Sequence, residues 1–454
     1  MSNQSALEKD LNSFDPAVRR RALEELVALV NAGHISVPPP KGEVNLHFHT
    51  FFSYNANDWS PSRIAWESKK YGLEVSGIVD FDVLDGMEEF LNAGDLLNLK
   101  SVVGLETRVF IQELKDKVMS SPNEPGIAYF MASGCFKRPL PGTEAEKILV
   151  SMAEMARKRN LGLVERVNDY LGEVQVDYVR DVIPLTPSGN ATERHLLRAY
   201  ELKAAEVFGH DLEHTASFWA RKLDIPQQDV LQMMSDTPRF HEKIRAKLMK
   251  FGGVGYVLPD SGSFPSIEDA VKMIHGIDAL PMIAWLDGTN AGEEDTVAFL
   301  GLLRTKGVVA INIIPDRNWN IKDPAEKALK VGKLKEVVEA ARDFHMPISV
   351  GTEMNRIGQR FVDDFSAPEL LPYVGDFLRG ARCLYGHTLL ARHIDFGWFS
   401  NKAGKAFGRD ESARLNFFAE VGRVPPSRTV RDALSGMAHV DDPGEILAML
   451  RNLM

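Results

Sequence analysis

Residues Glu43–Gly72, EVNLHFHTFFSYNANDWSPSRIAWESKKYG, decide how this chain is read. VNLHFHTFF is rich in β-branched and aromatic residues, and side chains two apart on a strand point to the same side. His47 and His49 therefore project together, with Phe48 facing the opposite layer. A lone histidine in such a place is usually a hydrogen-bonded core residue. Two imidazoles in register fit metal ligation as well, and then other strands must supply the remaining ligands.

From Val44 onward, apolar runs alternate with helical stretches. The strand candidates are VNLHFHTFF, VSGIVDF, SVVGLETRVF, GIAYFMASG, PMIAWL, VVAINII and PISVGT. Several are almost wholly apolar, the pattern of parallel strands buried on both faces. Their alternation with helices predicts an α/β barrel whose active site gathers at the C-terminal strand ends. Residues 142–252 break the alternation with helix formers and are expected to cap the barrel mouth. The barrel halves are then 43–141 and 253–400, followed by a helical extension over 401–454. Residues 1–42 hold an amphipathic helix, PAVRRRALEELVALVNA, entered through Asp15-Pro16 and followed by the stiff linker VPPPKG. That helix is read as a packing element or a contact between copies of the chain in a homo-oligomer.

The 454 residues are 44% apolar and 26% charged, with a formal net charge of −10, the profile of a globular protein with a sizeable core. The acidic balance argues against nucleic acid as partner. Cys135 and Cys383 form no CxxC pair, so neither a disulfide framework nor a thiolate metal site is expected. The polar N-terminus has no signal core, and no apolar run approaches the roughly 18 residues that span a bilayer. A cytoplasmic protein acting on a small molecule, away from membranes, is expected.

Most of the later strands end on ionisable residues. VSGIVDFD ends on Asp80 and Asp82, SVVGLETRVF carries Glu106, and PMIAWLDG ends on Asp287. VVAINIIPDRN ends on Asp316 and Arg317, and PISVGTEMN on Glu353 and Asn355. A carboxylate inside an apolar strand is costly unless paired or metal-bound. Helix N-capping is the simpler reading for Asp82, Asp85 and Asp316.

HFHT, then SPSRIAWESKKYGLEVSGIVDFDVLDGMEEFLNAG and VVGLE, resembles the opening of the PHP (polymerase and histidinol phosphatase) family. FPSIEDAVKMIHGIDALPMIAWLDG and SVGTEMN resemble later parts of that family more loosely. The resemblance implies a distorted (β/α)7 TIM-like barrel and a metal-dependent phosphoesterase with up to three ions, commonly Zn, Mn or Fe. It also implies that His47, His49, Glu106 and Glu353 hold the first ion. Phe81, Trp285 and Asn355 stand where the family has further ligands, and GIAYFMASG lacks an expected histidine. One divalent ion is therefore expected, with an open position able to bring the pKa of water to about 7. Asp80 or Asp287 is the expected general base.

GNATERHLLRA in the insertion resembles a Thr-Arg-Pro-His stretch that approaches substrate phosphate in some members. It offers Arg194 and His195, with Thr192 equally suited to cap a helix. Arg317 and Arg356 are further candidates for binding substrate. GHDLEH offers a rival metal pair in His210 and His214, or an ordinary polar face. FGGVGYV is read as a turn, not a nucleotide loop. Three functions remain open: a phosphoesterase, a reduced barrel that only binds a ligand or partner, and a single-metal hydrolase or lyase of non-phosphate substrates.

Overall fold

All seven expected strands form in the computed structural model, which describes residues 3–453. They are β1 (Val44–Phe48), β2 (Val75–Phe81), β3 (Lys100–Phe110), β4 (Ile127–Ser133), β5 (Leu280–Trp285), β6 (Ala310–Ile313) and β7 (Ile348–Val350). They make one sheet in chain order. The sheet curls until Phe48 bridges to Glu353, just beyond β7, so it is a nearly closed, distorted barrel.

One expectation needs correcting. β4 is antiparallel to both β3 and β5, while the other pairs are parallel. The β3–β4 connection holds only a single short turn, Gln112–Leu114, and no crossover helix, so the chain returns from the end at which β3 finished. The start of β4, not its end, therefore lies at the barrel mouth, and Tyr129 rather than a histidine faces it.

Among the described residues, helices α1 (Asn3–Asp10) and α2 (Pro16–Asn31) precede the barrel. Asp15 caps α2 by accepting the Ala17 N–H at 2.8 Å. Ala22, Leu23 and Leu26 of α2 are buried against this same chain. Helices α3 (Pro61–Tyr71) and α4 (Met87–Leu97) follow β1 and β2. The insertion is helical as expected: α5 (Glu144–Leu171), α6 (Glu193–Val207), α7 (Leu212–Leu223), α8 (Gln227–Met234) and α9 (Thr237–Leu248). At 28 residues, α5 is about 42 Å long. It carries the chain from the end of β4 back up to the mouth.

Helices α10 (Ile267–Gly276), α11 (Thr296–Thr305), α12 (Asp316–Trp319) and α13 (Pro324–Asp343) belong to the second half of the barrel. Helix α14 (Val374–Ile394) then packs across the end opposite the mouth. It is followed by α15 (Asn401–Phe407), α16 (Glu411–Val421), α17 (Arg428–Ser435) and α18 (Pro443–Arg451). At Gly386 a Cβ would overlap the Phe418 carbonyl, so only glycine lets α14 lie this close to α16. Barrel and C-terminal helices share one apolar core, while α6–α9 build a separate one with the far half of α5. Cys135 and Cys383 are buried, unpaired thiols. No described helix is long and apolar enough to cross a membrane.

Candidate metal centre

The centre lies at the seam between β1 and β7. The β1–β2 register slips between Asn45 and Phe48, and the His47 N–H turns instead to Asn45 Oδ1 at 2.9 Å. Gly351 allows the strands to close: a Cβ there would stand 2.5 Å from His47 Cβ. Two residues on, Glu353 adopts a left-handed φ of 66°, and its carbonyl accepts the His49 N–H at 2.8 Å.

His47, His49 and Glu106 converge as expected and could hold a metal ion, with one ligand atom from each lying within 4.8 Å of the others. Glu106 Oε2 is 3.5 Å from His47 Nε2 and 3.2 Å from His49 Nε2. These three atoms are buried, and none makes an aligned hydrogen bond. Leaving three such atoms unsatisfied is costly, which is the signature of a missing shared partner.

Bonds at the far ring nitrogens aim the lone pairs. Asn312 Nδ2 donates to Ser349 Oγ at 3.2 Å, so Asn312 Oδ1 is free to accept from His47 Nδ1 at 3.1 Å. Ser53 gives its single hydroxyl proton to Asp80 Oδ1 at 2.6 Å and so accepts from His49 Nδ1 at 3.2 Å. Both rings thus carry a proton on Nδ1 and turn Nε2 toward Glu106, the outer-shell arrangement of metal-binding histidines. Two imidazoles and a carboxylate suit Zn, Mn or Fe.

Charge around the centre is tightly coupled. Burial pushes Glu106 up, but the two imidazoles outweigh it and bring its pKa down to about 2. Burial would lower His47, yet the Glu106 and Glu353 carboxylates raise it. Glu353 is lowered against burial, chiefly by Arg317. It is not part of the close trio: Arg317 Nη2 donates to both its oxygens, at 2.9 and 2.8 Å.

The other expected site residues divide. Asp80 is buried behind the histidines and accepts from Thr50 N (2.8 Å), Thr50 Oγ1 (2.7 Å) and Ser53 Oγ (2.6 Å). Asp287 accepts from Thr289 and pairs with Lys330 at 3.0 Å. Neither lines the cavity, and both oxygens of each are engaged by these partners. His195 was the other substrate contact expected in the insertion. It is buried off the cavity, its Nδ1 accepts the Thr192 N–H in a capping box, and burial lowers its pKa to about 4. Arg194 does face the cavity, paired with Glu242 at 2.8 Å, as do Arg317 and Arg356.

Phe81 stacks on the His49 ring at 4.6 Å and, with Trp285, walls the space beside the trio. Asp82 and Asp316 are not N-caps, for Gly86 and Pro315 hold those positions. Asp82 accepts from Thr107 Oγ1 at 2.6 Å and borders the cavity. His210 lies outside α7 with a left-handed φ of 61°, so it shares no helical face with the exposed His214.

Between mouth and cap is a cavity of about 1760 Å³. Sequence reading missed several residues on its wall: Tyr129, Arg108, Arg159, Arg245 and Lys250. Arg108 and Arg159 both lie over the Phe264 ring at 4.2 Å. Among the described residues, the wall carries ten Lys or Arg against nine Asp or Glu, in a chain of net charge −10. The cavity wall is thus close to electrically balanced, in a protein that is acidic as a whole. Asn312 was also missed, although a buried amide within VVAINII carries the same signal as Glu106.

Fold and trio together define a distorted seven-stranded barrel with a three-ligand candidate metal centre. No family model matches the chain, and no curated protein matches it in sequence. Among solved structures, it is similar to an amidohydrolase from Chromobacterium violaceum with bound sulfate and no metal. That match has 14% identity and a TM-score of 0.46, over 73% of this chain and 96% of the other. It is also similar to a protein from Bifidobacterium adolescentis provisionally called a metal-dependent phosphoesterase. There the identity is 14% and the TM-score 0.45, over 74% and 97%. Neither overlap assigns a reaction to this chain.

Proposed function

We propose that this chain is a metal-dependent hydrolase, with one divalent cation held by His47, His49 and Glu106 and a small phosphate ester as substrate. The observation that carries the reading is the convergence of three buried, unsatisfied ligand atoms on one point. When bound, a divalent cation supplies Lewis acidity toward a phosphoryl or carbonyl oxygen and acidifies water. The chain itself does the rest. Asn312 and Ser53 orient the imidazoles, and Phe81 and Trp285 occupy space that further ions would need. The arginines of the cavity wall attract and orient an anion, for which the planar guanidinium fork is well shaped. The occupied carboxylates of Asp80 and Asp287 favour a second reading, a barrel that binds its ligand without turning it over.

Metal analysis of protein purified without chelator tests the site. About one ion per chain is expected, lost in His47→Ala and kept in the double variant His210→Ala/His214→Ala. Metal retained in full by His47→Ala would sink the reading. A phosphoester panel then separates the two functions: turnover that disappears on chelation supports the hydrolase, and thermal stabilisation by a ligand without turnover supports the binding barrel.

A further inference from the structure

Glu353 sits where it could serve the metal centre, and Arg317 keeps it elsewhere. Its backbone is fastened to the seam through the His49 N–H, and its charge reaches His47. Its carboxylate nevertheless turns to Arg317 Nη2, with Gln359 Nε2 adding a donor at 3.3 Å. The Arg317 guanidinium makes no other hydrogen bond among the described residues. Its side chain lines the cavity and is 43% exposed, against 12% for Glu353. The guanidinium can therefore meet an anion in the cavity without moving far, while the carboxylate is set deeper, toward the histidines.

We propose that Arg317 is a positioning residue that holds Glu353 off the metal until an anion arrives. An anionic group of the substrate takes over the guanidinium, and the released Glu353 carboxylate becomes the fourth ligand of the cation on His47, His49 and Glu106. This rests on the metal-site reading above. The exchange leaves no buried charge unpaired at its end: the carboxylate trades a guanidinium for a cation, and the guanidinium trades a carboxylate for the incoming anion. Cation and anion then bind with positive coupling, and by linkage each tightens the other equally.

Titration calorimetry of Mn²⁺ binding to the full chain, with and without inorganic phosphate, tests the coupling. Phosphate is expected to tighten Mn²⁺ binding about 10-fold in the wild type. Arg317→Met is expected to bind Mn²⁺ about 10-fold more tightly without phosphate and to lose the phosphate response. Adding Glu353→Gln to Arg317→Met should cancel that gain. A purely structural Arg317 would weaken metal binding on removal, and a phosphate bound only to the cation would act equally on Arg317→Met. Either result overturns the proposal. Mn²⁺ binding that survives in His49→Ala would instead overturn the site reading, and the coupling with it.

Discussion

His387 and His47 are the same residue type put to opposite uses. His387 donates from Nε2 to the Gly134 carbonyl at 3.1 Å and accepts the Trp398 N–H on Nδ1 at 2.9 Å. Both nitrogens are satisfied, and burial lowers its pKa to about 4, so it is a neutral core residue. His47 has a partner on Nδ1 and none on Nε2, which makes Asn312 the residue that orients it. Asn312→Ala should weaken metal binding about 10- to 100-fold while leaving the melting temperature of metal-free protein within a few degrees. Competition with a chromogenic chelator measures the first effect. Unchanged affinity would remove Asn312 from the site. His47, His49 and Glu106 were legible because each sits in an apolar strand where a polar group needs a reason. Glu353 was legible as a residue but not in its pairing, because Arg317 is 36 positions away and only folding brings them together.

At the scale of elements, the strands were readable and their directions were not. Burial on both faces writes the same apolar run whether a strand points up or down. The helix-free β3–β4 connection decides that β4 returns. The N-terminal α1 shows how a short helix is held by charge. Glu8 Oε1 accepts from Lys70 at 2.8 Å, Trp66 at 2.9 Å and Gln4 at 3.1 Å. Burial raises the Glu8 carboxyl, but these bonds prevail and its pKa falls from 4.5 to about 2. A depressed carboxylate stabilises the fold above its unfolded pKa, and that contribution fades as pH falls from 4.5 toward 2. After solvent screening it amounts to about 1 kcal/mol. Glu8→Gln should therefore melt lower than wild type at pH 7, with the gap closing below pH 4.5. A gap that stays constant with pH would show that Glu8 acts by packing alone.

At the scale of the molecule there are two apolar cores, and α5 contributes to both. Ala145, Ile148 and Met152 of that helix belong to the barrel core, and Val164, Val167 and Leu171 to the cap core. Cap and barrel should therefore lose stability separately. Trp219 is fully buried in the cap beside Phe218 and Phe240. Trp219→Ala should cost about 3–5 kcal/mol there. Calorimetry should show a cap transition moved to lower temperature, an unshifted barrel transition and retained metal. A single shifted transition, or loss of metal, would show that the cores unfold as one.

By itself the sequence determined the seven strands, the helical cap, the capped α2 helix and the pair of imidazoles with Glu106. Each of these depends on periodicity, on capping chemistry or on a polar residue placed among apolar ones, all local properties of the chain. Only the tertiary structure decided the direction of β4, the engagement of Asp80, Asp287 and His195, and the Arg317–Glu353 pair. Those depend on which groups meet across the fold, and a charged or polar side chain takes whichever partner burial leaves within reach.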